Sequence, residues 1–351
     1  MNPHPTLSLG GRGSEPLAAG DEVDDPDVGA VGDGTGGIVV AGDDLWLGGM
    51  TMTQQVPHSD PGKVIVNGIG IVYDTFGGSS ASPMLLVAGL GMQMIGWEEE
   101  FCSQLAAQGY WVIRFDNRDI GLSTRLDEAG VPDMQAVMQA AAQGKAVEVP
   151  YTLRDLAKDA VGLLDALGIE SAHVVGVSMG GMIVQEMAIH YPDHMRTMTS
   201  IMSSTGNPEL PPPRPEAMSL LLTPPPTDRA GYVESEVKAG RVLSGSAALF
   251  DESRARKQAG RAFERGLSPA GTARQLAAIL ASGSRKEALK SLTVPALVIH
   301  GDADPLVPVE GGIDTADAIP GAELLIIEGM GHDLPPAIWP QVIEAIARHA
   351  V

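Results

Sequence analysis

One serine of this chain has the glycine spacing that is typical of an activated nucleophile. The segment Gly176-Val177-Ser178-Met179-Gly180 follows an apolar run that predicts a strand and opens a run with helical spacing. A sharp turn from strand to helix needs glycine two residues before and after the serine, because a side chain there would strike the neighbouring strand or helix. The N-terminus of the following helix also favours developing negative charge. We therefore predict that Ser178 is a catalytic nucleophile.

A serine hydroxyl needs a base to become nucleophilic, and one of the eight histidines is suitably placed for this role. His332 lies in a glycine-flanked loop, Glu328-Gly329-Met330-Gly331-His332-Asp333, after the predicted strand 323–327. Parallel strands bring that carboxyl end beside Ser178, so we predict that His332 is the general base. The other histidines fall in or near the N-terminal segment, in strands or at helix ends, at positions more typical of hydrogen-bonded or surface residues: His4, His58, His173, His190, His194, His300 and His349.

An aspartate that orients the histidine is expected after another strand, between the serine and the histidine. The segment Gly301-Asp302-Ala303-Asp304 offers two candidates. Asp304 lies deeper in the turn, where its carboxylate could accept a ring N–H, whereas Asp302 could hydrogen-bond the loop backbone. We predict Asp304 as the third member of the triad, with Asp302 as the alternative.

Acyl transfer also needs hydrogen-bond donors for the oxyanion. The residue after the nucleophile supplies one, which is the backbone N–H of Met179. The second is expected from the glycine-containing loop 88–92, which follows the predicted strand 83–87. We predict the N–H of Leu90, with Gly91 and Met92 as alternatives.

Short apolar runs that alternate with amphipathic helices position these residues. The strands are predicted within 63–73 (two, about an Asn-Gly turn) and at 83–87, 110–116, 172–177, 196–202, 296–300 and 323–327. The helices are predicted at 97–108, 153–167, 180–190 and 337–349. Strands that are apolar on both faces and alternate with helices indicate an α/β fold with a mostly parallel central sheet flanked by helices.

Two segments depart from this alternation. Residues 1–60 are rich in Gly and Asp and are predicted to be a disordered extension, because they bury too little apolar surface to offset the entropy of ordering. Met50 and Met52 leave open a later translation start. Residues 205–290 contain two proline clusters followed by strand-poor, helix-like sequence, and we predict that they form an inserted helical cap. The core then comprises residues 61–204 and 291–351.

The motifs together resemble the α/β-hydrolase superfamily over about residues 63–350. The resemblance rests on the serine segment, on Gly301-Asp302-Ala303-Asp304, on Gly331-His332, and on the loop Phe115 to Ser123. The order Ser, Asp, His is the order of this fold. The sequence is most similar to bacterial carboxylesterases of the aclacinomycin methylesterase and macrolide esterase type. It departs from many relatives in having Ala88-Gly89 where they have His-Gly, so local hydrogen bonding there is expected to differ.

Two further groups near the motifs have alternative interpretations. Arg118 could be a substrate-binding arginine, but the pattern favours a role with Asp116 in bracing the loop beneath the oxyanion turn. The methionines close to the motifs could line an adaptable pocket or simply fill the core: Met92, Met94, Met179 and Met182.

Composition excludes several classes of protein. The chain has 351 residues and a formal charge of −21, from 23 Lys+Arg against 44 Asp+Glu, which repels nucleic-acid backbones and anionic membranes. No apolar stretch approaches the ~18–20 residues of a membrane span. The one cysteine, Cys102, can form neither an internal disulfide nor a thiolate metal cage. We expect a cytoplasmic protein without a cofactor, a metal, a nucleic-acid partner or a membrane partner, and we leave a homodimer open.

The resulting hypothesis is a serine hydrolase that cleaves a small-molecule carboxylic ester through an acyl-enzyme on Ser178. The same triad would also suit a lactonase, a C–C hydrolase or a cofactor-free perhydrolase or haloperoxidase, because the cap and the pocket select the substrate. From another class of protein, a non-catalytic ligand-binding receptor could have this fold. The ester itself cannot be named from the sequence.

Overall fold

The structure, a computed structural model, describes residues 56–350. A central eight-stranded sheet has the order β1-β2-β4-β3-β5-β6-β7-β8. The strands are β1 (Gly62–Val66), β2 (Ile69–Phe76), β3 (Ser82–Val87), β4 (Tyr110–Phe115), β5 (Ala172–Val177), β6 (Met195–Ile201), β7 (Ala296–Gly301) and β8 (Glu323–Ile327). Only β2 runs antiparallel to its neighbours, and the six strands from β4 to β8 in the sheet are parallel.

Helices cover both faces of the sheet. They are α1 (Glu99–Ala107), α2 (Met134–Ala142), α3 (Leu153–Ala166), α4 (Met179–His190), α5 (Pro215–Leu222), α6 (Arg229–Leu243), α7 (Glu252–Arg265), α8 (Pro269–Ser282), α9 (Lys286–Leu289), α10 (Glu310–Ala318) and α11 (Trp339–His349). One apolar cluster packs α3 and α4 against the sheet, and a second packs α1 and α11. The predicted α/β fold with a mostly parallel sheet is confirmed.

Local sequence signals explain the beginnings and ends of several elements. Asn67 and Gly68, between β1 and β2, have φ of 50° and 82°, as the tight turn of a two-residue hairpin requires. Helix α3 begins with a capping box, in which Thr152 and Asp155 satisfy each other's backbone N–H groups. Gly168, at φ 70°, follows the end of that helix. These contacts are local, and for this reason the sequence pattern predicts them.

Helices α5–α9 lie within residues 205–290, where the cap is predicted. Helix α2, from the loop between β4 and α3, packs against α8. Helix α8 also contacts α3, and α9 contacts α4 and α10, so these helices pack on helices of the core as well as on one another. No helix within residues 56–350 is long and apolar enough to cross a membrane.

The extension differs from its predicted bounds at one end. Residues 1–55 lie outside the described residues, but residues 56–60, which we assigned to the extension, run beside β2. The His58 ring stacks on Phe76 with ring centres 4.0 Å apart, and its Nε2 lies 3.0 Å from Asp74 Oδ2. Strand β2 supplies an aromatic face and a carboxylate to these residues, and composition alone does not indicate either contact.

Arginines of α7 and α8 reach down to carboxylates of the core. Arg274 donates to both carboxylate oxygens of Asp119, at 2.8 and 2.7 Å, and both side chains are fully buried. Asp119 also accepts the Tyr151 hydroxyl proton at 2.7 Å and the Leu126 N–H at 2.6 Å. Arg274 also donates to the Gly130 carbonyl at 2.6 Å and lies 3.5 Å from Asp127 Oδ1. Arg274 is the one cation that pairs with the buried Asp119 carboxylate among the described residues, so removing it would leave that charge buried and unpaired.

We predict that Arg274→Met lowers the free energy of unfolding by about 3–5 kcal/mol, because the Asp119 carboxylate stays buried without its cation. Urea denaturation followed by circular dichroism measures this change. Arg229→Met is the matched control, since Arg229 pairs with Glu264 on the surface, and its loss is expected to be no more than about 1 kcal/mol. Equal losses for the two variants would contradict the prediction.

Candidate active site

The turn between β5 and α4 holds Ser178 in a strained backbone conformation. Its φ is 54°, in the left-handed region that non-glycine residues rarely adopt. A Cβ on Gly180 would lie 2.1 Å from the Val87 carbonyl oxygen, and one on Gly176 would lie 2.2 Å from the Gly180 carbonyl oxygen. Both glycines are therefore required for the close approach of helix and strands, as predicted from their spacing. The Ser178 side chain points from the carboxyl end of β5 into a cavity.

His332 lies next to this serine. Its Nε2 is 2.9 Å from Ser178 Oγ. The loop that contains His332 is attached to the end of α6: the His332 N–H donates to the Leu243 carbonyl at 2.6 Å, and the Gly331 N–H donates to the Ser244 carbonyl at 3.1 Å. A Cβ on Gly331 would lie 2.1 Å from the Leu243 oxygen, so only glycine allows this approach. A segment of the predicted cap thus orients a core loop.

Asp304 lies on the other side of the imidazole. Its Oδ2 is 2.7 Å from His332 Nδ1, and its Oδ1 accepts the backbone N–H groups of Leu306 and Val307 at 2.8 and 2.9 Å. The carboxylate is buried and held by fixed donors. Asp302, the alternative candidate, is exposed and accepts the Gly329 N–H at 2.7 Å. The structure therefore brings together Ser178, His332 and Asp304, and it leaves Asp302 outside this group.

A second histidine lies beneath Asp304. His300 is completely buried on β7, and its Nε2 is 2.8 Å from the Val307 carbonyl oxygen and 3.6 Å from Asp304 Oδ2. Burial lowers the pKa of the His300 imidazole, so the ring is neutral at neutral pH. Because a carbonyl only accepts, Nε2 bears the proton and donates it to Val307. This bond ties the aspartate loop to the strand and explains the buried histidine that the sequence indicated.

Two backbone N–H groups beside Ser178 have no acceptor among the described residues. They belong to Met179 and Leu90. The alternatives in the same loop are engaged: the Gly91 N–H donates to Gln275 Oε1 at 3.0 Å, and the Met92 N–H donates to the Gly89 carbonyl at 3.2 Å. Of the loop donors considered from the sequence, only Leu90 is left to bind a ligand atom.

Gln275 of α8 is a residue of the site that sequence analysis missed. Its side chain is fully buried and bridges two loops, accepting the Gly91 N–H and donating from Nε2 to the Arg118 carbonyl at 3.0 Å. The loop is also held from below, since Asn117 Nδ2 donates to the Ala88 carbonyl at 3.0 Å. The one feature of the sequence that could have indicated this role is a glutamine among the apolar positions of α8. That feature does not predict which loop the side chain contacts.

Arg118 does not face the cavity. Its guanidinium pairs with Asp159 of α3, with Nε 2.5 Å from Oδ2 and Nη2 2.7 Å from Oδ1, and it lies over the Tyr151 ring. Asp116 accepts the Met94 N–H at 2.8 Å and the Leu122 N–H at 2.9 Å. These contacts fit the bracing interpretation of the pair rather than substrate binding by Arg118.

The cavity above Ser178 has a volume of about 830 Å³ and is bounded by core loops and by α6, α7 and α8. Most of its lining is apolar. Three of the four methionines singled out in the sequence, Met92, Met179 and Met182, line it, whereas Met94 is buried outside it. A cavity of this size holds a drug-sized molecule. Within residues 56–350, no group of three or more His, Cys, Asp or Glu side chains could hold a metal ion.

The chain belongs to the α/β-hydrolase family, whose model ("alpha/beta hydrolase fold") matches residues 82–335. It is 32% identical over 300 residues to rhodomycin D methylesterase DauP from Streptomyces sp. (strain C5), covering 78% of this chain and 92% of that protein. It is 31% identical over 317 residues to rhodomycin D methylesterase DnrP from Streptomyces peucetius, covering 82% and 98%. The predicted similarity to bacterial methylesterases is confirmed.

Solved structures show the same fold. The meta-cleavage product hydrolase CumD from Pseudomonas fluorescens IP01 superposes with a TM-score of 0.64 and 18% sequence identity, over 82% of this chain and 96% of that one. At this identity the likeness concerns the arrangement of strands and helices, and it agrees with the parallel sheet described above.

Proposed function

We propose that this protein is a serine esterase that hydrolyses a small-molecule carboxylic ester through an acyl-enzyme on Ser178. The observation that supports this most strongly is the unbroken chain of hydrogen-bond distances from Asp304 to His332 to Ser178, 2.7 and 2.9 Å, at the floor of a largely apolar cavity. Two methylesterases similar over most of the chain support the ester as the substrate class.

The proposed reaction begins with proton transfer. His332 Nε2 takes the hydroxyl proton as Ser178 Oγ attacks the ester carbonyl carbon, and Asp304 stabilises the resulting imidazolium through Nδ1. The protonated His332 then gives this proton to the departing alkoxide, so that an alcohol leaves and the acyl group stays on Ser178. A water molecule repeats the sequence on the acyl-enzyme, which releases the carboxylic acid and restores the serine.

The negative charge of each tetrahedral intermediate needs donors that are already in place. We assign this role to the backbone N–H groups of Leu90 and Met179, because they lie on either side of Ser178 and have no acceptor within the described part of the chain. The strained Ser178 backbone and the first turn of α4 orient the Met179 donor, and Gln275 and Asn117 hold the loop of Leu90.

The substrate that we propose is a methyl ester of a bulky carboxylic acid. Two relatives are named rhodomycin D methylesterases, and a cavity of about 830 Å³ has room for an acid of drug size. A small leaving alcohol then departs, while the acyl part occupies the apolar space below α6, α7 and α8. The mechanism requires no cofactor.

Ser178→Ala is expected to abolish ester turnover, with kcat falling by about 10⁴-fold or more, because no other group in the proposed site can form the acyl-enzyme. The measurement is acid release from a panel of methyl and 4-nitrophenyl esters. In parallel, intact mass spectrometry after treatment with a fluorophosphonate tests labelling of the wild type. A wild type that hydrolyses no ester and takes up no label would favour the receptor alternative and overturn the proposal.

The same assay distinguishes the roles of Asp304 and Asp302. Asp304→Asn is expected to lower kcat by about 10³–10⁴-fold, since an amide cannot stabilise the imidazolium or fix its tautomer. Asp302→Asn is the matched control: it removes one carboxylate two residues away, on an exposed side chain, and its kcat is expected to stay within about threefold of wild type. Larger loss in the Asp302 variant would reverse the assignment.

Gln275→Met keeps the length of the side chain but removes both hydrogen bonds of this positioning residue. We expect kcat to fall by about 10- to 100-fold with little change in KM, because a misplaced Leu90 N–H weakens binding of the oxyanion and not of the ground-state ester. Gln139→Met, on the exposed face of α2, is the control for the substitution itself. If Gln275→Met weakened binding of the product acid as much as it lowered kcat, or if it lowered neither, Gln275 would have only a packing role.

A further inference from the structure

One carboxylate in the cavity wall belongs neither to the proposed triad nor to any bracing contact. Helix α6 turns one face to the cavity, with residues at helical spacing: Tyr232, Glu236, Ala239, Gly240 and Leu243. All of these except Glu236 are apolar or aromatic. Glu236 therefore projects a charged group from an otherwise apolar side of the space above Ser178.

Glu236 has no hydrogen bond and no ion pair with any residue between 56 and 350. Its neighbour Glu234, two residues earlier on the same helix, faces outward and pairs with Arg256. Burial raises the pKa of the Glu236 carboxyl, and no described cation offsets that rise. A partly buried carboxylate without a partner is unfavourable, and a ligand that provides the missing partner would gain binding free energy.

The other charged groups of the cavity wall do not fill this role. Arg254 is engaged with Glu98 at 2.6 Å and with Asp333 at 2.8 Å. Asp251, which is exposed, accepts the backbone N–H of Arg254 at 3.0 Å as the cap of α7. The Arg254 cation is thus already paired, and Glu236 remains as a carboxylate of the cavity wall that accepts no hydrogen bond within residues 56–350. It attracts a cation and repels an anion.

The position of Glu236 relative to the proposed triad follows from the helix. The Leu243 carbonyl accepts the His332 N–H, and Glu236 lies seven residues before Leu243 on the same face of α6. At 1.5 Å per residue, this separation is about 10 Å along the helix axis. Glu236 therefore lies about 10 Å along α6 from the carbonyl that holds the His332 loop, and the cavity-lining residues between them on this helix, Ala239 and Gly240, are apolar.

We propose that Glu236 is a specificity-determining residue that binds a protonated amine of the substrate, so that the enzyme prefers esters whose acyl part has an ammonium group remote from the ester carbonyl. This inference rests on the proposed esterase function and names the substrate class of that site. The ammonium donates hydrogen bonds to the carboxylate, and the intervening apolar part of the acid contacts the wall formed by α6.

The test compares methyl esters of one medium-chain fatty acid that differ only in the far end, which is an ammonium, a hydroxyl or a carboxylate. The wild type is expected to have a kcat/KM for the ammonium ester about tenfold or more above that for the hydroxyl ester, the scale of a hydrogen bond between charged groups. The carboxylate ester is expected to be the poorest substrate. In Glu236→Gln, the kcat/KM for the ammonium ester divided by that for the hydroxyl ester is expected to fall to about one, because the substituted side chain has no negative charge.

Glu234→Gln is the matched control, because it removes the same charge from the same helix on the outer face; its ratio is expected to equal that of the wild type. A wild type without preference for the ammonium ester, or a preference that persists in Glu236→Gln, would overturn the inference. A preference for the hydroxyl ester that disappears in Glu236→Gln would also overturn it, since Glu236 would then bind a neutral group. The proposed esterase function fails separately, if the wild type hydrolyses none of the three esters.

Discussion

The close approach of α4 to β3 and β5 is the constraint on which the rest of the site depends. It leaves no room for a Cβ at Gly176 or Gly180, and it holds Ser178 at a positive φ. The same approach brings the loop after β3 beside the serine, since a Cβ on Gly89 would lie 3.3 Å from Ser178 Cβ. A backbone conformation that is unfavourable by itself is maintained because the buried sheet and helix on both sides determine it.

A second layer of interactions joins the helices of residues 205–290 to the core through charge. Arg254, Arg265 and Arg274 each meet a core carboxylate, and Gln275 joins two core loops. The carboxylates that receive these arginines lie in the loops that follow β4 and β8 and at the start of α1. The helices of residues 205–290 therefore hold the loops around Ser178 and also line the cavity.

Most of the fold and the positions of three site residues could be predicted from the sequence, because they depend on local signals. Apolar runs, caps and turn residues specify the strands and helices, and the parallel order of the strands brings Ser178, Asp304 and His332 to one edge of the sheet. Gln275 and Glu236 could not be predicted, since each lies on a helix whose contact with the core is decided by long-range packing. Residues 56–60 were misassigned for the same reason, because their partners lie on β2.

The attachment of the histidine loop to the end of α6 limits how such a protein can diversify. Two carbonyl oxygens, of Leu243 and Ser244, accept the backbone N–H groups of His332 and Gly331. If evolution or an engineer replaced the segment 205–290 with one from another enzyme, the new segment would have to present two acceptors at the same places. Otherwise the imidazole would lose its support even though Ser178, Asp304 and His332 were all retained. A change of substrate preference by exchange of residues 205–290 therefore has to conserve these two backbone acceptors, while the rest of the segment can vary.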